Sequence, residues 1–123
     1  MRHLESLEAF RHGRELAVSV HRLTDLAPLK RYRSLTDQLQ RASVSIPSNV
    51  AEAFALGTRP QLVRGLRIAL GSAFELQTQL WIADRAGRLP ETPLAAQTIA
   101  AADRETGLLV GLLKSYGATI NAK

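Results

Sequence analysis

Between Leu62 and Ala83 the apolar residues Leu62, Leu66, Ala69, Ala73, Leu76, Leu80 and Ala83 recur at intervals of 4, 3, 4, 3, 4 and 3. A strand alternates with period two, whereas an α-helix of 3.6 residues per turn lays such positions in one stripe. A chain with this stretch must therefore bury one long helical edge, and other helices are the natural partners. Gly57 is placed as a C′ residue, and Thr58-Arg59-Pro60 reads as a cap with proline in the first turn. The spacing predicts a helix from Pro60 to Ala86, ended by Gly87. At ~1.5 Å per residue it is ~40 Å long.

Three more segments carry the same period. Phe10, Gly13, Ala17, Val20 and Leu23, with Leu16 beside them, predict a helix over Ala9–Leu26 that stops before Pro28. A loop from Ala27 to Arg33 follows. Leu35, Leu39, Ala42, Ile46, Val50 and Ala53 predict a second helix from Ser34, an N-cap with Asp37 three residues on, to about Leu56. Pro47 falls inside it, where proline removes a backbone hydrogen bond at a cost of ~3 kcal/mol. The stripe keeps its phase across Pro47, so one helix kinked at Pro47 is expected rather than two. After Pro90 and Pro93, the residues Ala95, Ile99, Ala102, Thr106, Leu109, Leu113 and Tyr116 predict an inward face over Leu94–Gly117. The expectation for residues 1–123 is one all-α domain, an antiparallel up-down-up-down four-helix bundle. Val63, Leu70, Phe74 and Trp81 form a second apolar line on the third helix, and Leu108 and Leu112 do so on the fourth. These lines belong either to a broad core or to a subunit interface.

Composition supports the bundle and narrows the function classes. Hydrophobic residues make up 46% but aromatics only 5%, so the core is aliphatic and suited to close helix packing. The absence of Cys removes disulfide, thiolate and Cys-ligated metal chemistry. The start, MRHLESLE, has no apolar signal core, and the clean apolar run Leu108–Leu113 is too short to span a bilayer. A cytoplasmic protein without membrane contact is expected.

Polar residues interrupt the apolar faces at helical spacing. Gln38, Arg41, Ser45, Asn49 and Glu52 share one face of the second helix, and Ser72, Glu75 and Gln79 share one on the third. They are expected to form a structural network with an Arg41–Glu75 ion pair, fixing helix register at some cost in stability. The other reading is a polar face that contacts a partner subunit or lines a channel. Catalysis is not expected. His3, His12 and His21 show no sequence-evident relay and read as surface residues. No Glu-x-x-His pair of the kind that holds two metals in a bundle occurs, and no glycine-rich phosphate loop. No cofactor or metal is expected.

A net charge of +5 makes an acidic partner worth seeking, and the placement of charge says where. Up-down threading gathers Arg2, Arg11, Arg14, Arg59, Arg64, Arg67, Lys114 and Lys123 at one end, against Glu5, Glu8, Glu15 and Glu52. The opposite end carries the run Lys30-Arg31-Tyr32-Arg33, which Arg85 and Arg88 are placed to join. Tyr32 among cations offers a ring on which a base can stack. Arg11, Arg14, Lys30, Arg31, Arg33, Arg59, Arg64 and Arg67 are the candidate RNA- or DNA-contacting residues. The competing class is a structural or protein-interaction module whose charge serves solubility alone.

Gln38-Leu39-x-Arg41-Ala42, Ser45-Ile46-Pro47-x-Asn49-Val50-Ala51-Glu52 and Ala69-x-Gly71-Ser72-x-x-Glu75, with the opening Leu7-x-Ala9-Phe10, resemble the four-helix bundle family of the 23S rRNA-intervening-sequence proteins. The resemblance covers nearly the whole chain. One departure is Ala53, where the family usually has Gly after the motif Glu. The resemblance implies a small cytoplasmic bundle that assembles as a homo-oligomer, with a pentameric ring favoured. It also implies a relation to the accessory variability proteins of diversity-generating retroelements, which bind nucleic acid and a protein partner.

Overall fold

The computed structural model describes residue 4, residues 7–55 and residues 57–120. The expectations placed on Arg2, His3, Glu5, Leu56 and Lys123 lie outside the described residues. Four helices account for most of the rest: α1 (Glu8–Thr24), α2 (Arg33–Ala55), α3 (Arg59–Arg85) and α4 (Pro93–Ser115), with a short 3₁₀ turn at Leu29–Arg31. No strand occurs among the described residues. The fold is an all-α four-helix bundle in which α2 packs most extensively on α3, α1 on α2 and α4, and α3 on α4.

Local chemistry sets the helix limits. Thr58 caps α3: its hydroxyl accepts from the Gln61 backbone N–H and donates to the Gln61 side-chain oxygen. The hydroxyl thus satisfies one of the free N–H groups of the first turn, as an N-cap threonine does. Gly57 and Gly87 precede and end α3 with φ of 87° and 70°, a region in which a side chain is strained. Helix α2 starts one residue before the expected Ser34, and the Thr36 N–H bonds to the Tyr32 carbonyl. It runs unbroken through Pro47 to Ala55, with Ile46, Pro47 and Val50 all buried. Burial of this apolar turn, worth about 1.5–3 kcal/mol per large side chain, offsets the hydrogen bond that Pro47 cannot donate.

The core is aliphatic. Leu16, Leu23, Leu39, Ile46, Leu66, Leu76, Leu80, Leu109 and Leu113 are fully buried. Helices α2 and α3 approach closely where a Cβ on Gly65 would sit 2.6 Å from the Ala53 Cβ. Ala53 is thus met by a glycine on the facing helix. Further along the same interface Ser45 meets Ser72. Contacts therefore move toward the start of α2 as they move toward the end of α3.

One expected face is corrected. On α4 the buried positions are Ala95, Thr98, Ala102, Glu105, Leu109 and Leu113. Ile99, Thr106 and Tyr116, expected inward, are half-buried, with Ile99 and Tyr116 packed against the edge of the core. The helix is turned so that two polar residues enter the core. Thr98 satisfies its hydroxyl on the Leu94 carbonyl within the helix. Glu105 needs a partner elsewhere.

Candidate nucleic-acid interface and polar core

At one end of the bundle the turn after Pro28 brings Lys30, Arg31 and Arg33 to the surface, all exposed. Tyr32, between them, is half-buried beneath the Arg88 guanidinium, which lies 4.1 Å from the ring centroid and donates a hydrogen bond to the Tyr32 hydroxyl. The turn before α2 and the turn after α3 thus form one basic surface, as the sequence suggested for Arg88. Arg85, on the last turn of α3, lies 4.6 Å from the centroid of exposed Trp81. Among the described residues Lys30, Arg31 and Arg33 have no carboxylate within ion-pair distance.

The opposite end is basic in a different way. Arg59 Nη2 donates to the Tyr116 carbonyl and Arg67 Nη1 to the Thr119 carbonyl, so both guanidiniums bind the segment after α4. The favourable meeting of cations with carbonyls at a helix C-terminus explains this placement. Arg64 is exposed without a carboxylate partner among the described residues. Arg11 and Arg14 are exposed and engaged; Arg14 lies 4.6 Å above the Phe10 ring. An apolar hollow of about 300 Å³ lies beside Arg59, between Phe54, Leu62 and Tyr116.

The polar stretch of α2 divides. Ser45 Oγ is 2.8 Å from Ser72 Oγ, and Asn49 Nδ2 donates to both the Ser45 hydroxyl and carbonyl, at 2.8 and 2.7 Å. These three residues form a connected cluster between α2 and α3. Gln38, Arg41, Glu52 and Glu75 are exposed. No ion pair joins Arg41 to Glu75 among the described residues. Residues three or four apart share a helix face, but those at its margin carry long side chains that reach water. Gln79 is buried, and its Oε1 has no hydrogen-bond partner among the described residues.

The polar pair absent from the sequence expectations joins α1 to α4. His12 Nδ1 lies 2.9 Å from Glu105 Oε1. The Glu105 side chain is fully buried and that of His12 is 20% exposed, so His12 is not the lone surface histidine expected. Glu105 Oε2 has no hydrogen-bond partner among the described residues. It packs against Gly13, where a Cβ would come within 2.9 Å of it. Burial pushes the Glu105 carboxyl up to about 8, with the Arg104 charge opposing the shift. Burial also lowers His12 from its ordinary 6.5, Arg104 adds to the lowering and Glu8 opposes it. The available signal was that Glu105 continues the Ala102–Leu109 stripe, but an apolar-weighted reading selects Thr106 beside it.

Among the described residues no group of three or more His, Asp or Glu side chains is placed to hold a metal ion. No described helix is long and apolar enough to cross a membrane.

The family model described as 23S rRNA-intervening sequence protein matches residues 5–104. A crystal structure of a protein of unknown function from the S23 ribosomal protein family of Bacteroides thetaiotaomicron is similar to the chain, with a TM-score of 0.76. The two share 22% identity over 86% of this chain and 95% of that one. At that identity the likeness concerns the fold. No curated protein matches the chain.

Proposed function

We propose that this chain, which belongs to the family of 23S rRNA-intervening sequence proteins, is a non-catalytic cytoplasmic bundle that self-associates and binds RNA or DNA electrostatically through its basic ends. The observation that carries the reading is the Tyr32–Arg88 contact, which unites Lys30, Arg31 and Arg33 with the end of α3 in one basic surface. Cations not neutralised by neighbouring carboxylates exchange their counterions for phosphates, and binding then weakens steeply with salt. Self-association rests on the outer face of α3, where Ile68, Phe74, Trp81 and Ile82 are 44, 42, 58 and 49% exposed. A pentameric ring would repeat the basic surface, and several weak phosphate sites would act together. A relation to the accessory variability proteins belongs to the same proposal.

The test is size exclusion with light scattering, with and without nuclease, followed by salt-dependent binding to single- and double-stranded RNA and DNA. The expected result is an oligomer whose nuclease-treated form binds nucleic acid with an affinity that falls with salt. Arg31→Glu and Arg64→Glu should each reduce the affinity and the salt slope. Absence of salt-sensitive binding, with both variants silent, would overturn this reading in favour of a protein-interaction module.

A further inference from the structure

We propose that His12 and Glu105 form a proton-operated lock between α1 and α4, closed when the pair holds one shared proton and loosened when that proton is lost. The geometry carries it. Glu105 is fully buried, one of its oxygens meets His12 Nδ1 at 2.9 Å, and the other has no partner among the described residues. A carboxylate here would leave a charged oxygen pressed on Gly13, with no donor to replace water. A neutral acid that donates its proton to a neutral imidazole satisfies the same contact without placing charge on the second oxygen. Gly13 makes the room, since a methyl group at that position would crowd Oε2 at 2.9 Å.

The charged surroundings are few. From α1, Glu8 acts on His12 in addition to the bond with Glu105; from α4, Arg104 acts on both members. Arg104 is itself drawn outward to Glu8, 3.1 Å away. Helix α2 presents the Ile46 side chain to Gly13. No ionisable group of α2 or α3 contributes appreciably to either shift.

The direction of the pH response follows. The unfolded carboxyl ionises near 4.5, but in the folded seam it keeps its proton to about 8. Its contribution is therefore complete below 4.5 and is lost as pH rises toward 8. His12, lowered in the fold, contributes fully above 6.5 and loses its contribution as pH falls through the lowered value. Just below 6.5 the folded and unfolded pairs carry the same number of protons, so this source adds no slope. From 6.5 to about 8 the folded pair holds one proton more, and stability falls as pH rises.

The experiment compares the wild-type chain with Glu105→Gln, which keeps the shape and cannot ionise. Urea midpoints are measured from pH 5.5 to 9, and infrared spectra follow the protonated-carboxyl band. The wild-type midpoint should drop across the 6.5–8 window relative to the variant, and a buried-carboxyl band should be present at pH 7 and vanish above pH 8. Parallel pH profiles for the two proteins would overturn the lock. So would the absence of that band at pH 7 in the folded wild type, a readout that stands even where Glu105→Gln fails to fold.

Discussion

Gly13 and Gly65 are buried for the same missing atom but accommodate different neighbours. Gly13 admits a carboxyl oxygen, and Gly65 admits the methyl group of Ala53 across a close approach of α2 to α3. Adding a methyl group at Gly65 would overlap both Cβ and Cα of Ala53, at 2.6 and 2.9 Å. Gly65→Ala is therefore expected to destabilise the fold by about 1–3 kcal/mol, the usual cost of overpacking. In chemical denaturation Ala53→Gly should recover part of that loss in the double variant, because it removes the first overlap and leaves the second. Additive losses would show that α2 and α3 shift apart instead. The Ala53–Gly65 complementarity was invisible in the sequence because it depends on which turns of two helices face one another. Glu105 was hidden for another reason: apolar periodicity treats a carboxyl as outward, and only its distant partner His12 makes the inward position tolerable.

At the scale of the helices, much was legible. The stripe with intervals of four and three gave α3 within a residue at either end, and preserved phase across Pro47 indicated that α2 is continuous. The polar notches were legible only in part: Ser45 and Ser72 have side chains short enough to bond between helices, and Asn49 reaches Ser45 within α2. Arg41 and Glu75, on the same faces, extend into water. The cap of α3 provides a measurable consequence. Thr58→Ala removes the acceptor for the Gln61 N–H and should cost ~1 kcal/mol, with Thr58→Asp retaining most of the stability. Thermal unfolding followed by helical circular dichroism checks it, and equal losses in both variants would assign the effect to something other than capping. Ser72→Ala has a different signature: Asn49 still satisfies the Ser45 oxygen, so a loss of no more than about 1.5 kcal/mol is expected.

For the whole molecule, the outward apolar line on α3 is the feature most at odds with a free bundle. Val44 of α2, 45% exposed, adds another apolar side chain to the surface beyond the four on α3. If this face is where copies meet, Phe74→Glu should lower the mass seen by light scattering while leaving helicity intact, because Phe74 contributes little to the core. An unchanged mass would turn attention to the α1–α4 groove lined by Leu7, Leu108 and Leu112. Trp81 gives the same face an optical consequence. It is the only tryptophan in the chain, and it lies outside the core beneath a guanidinium. In a bundle whose α3 face is uncovered its emission should therefore be red-shifted before unfolding and change little when the core melts. Intrinsic fluorescence will thus be a poor gauge of unfolding here and a direct gauge of whatever comes to rest on α3.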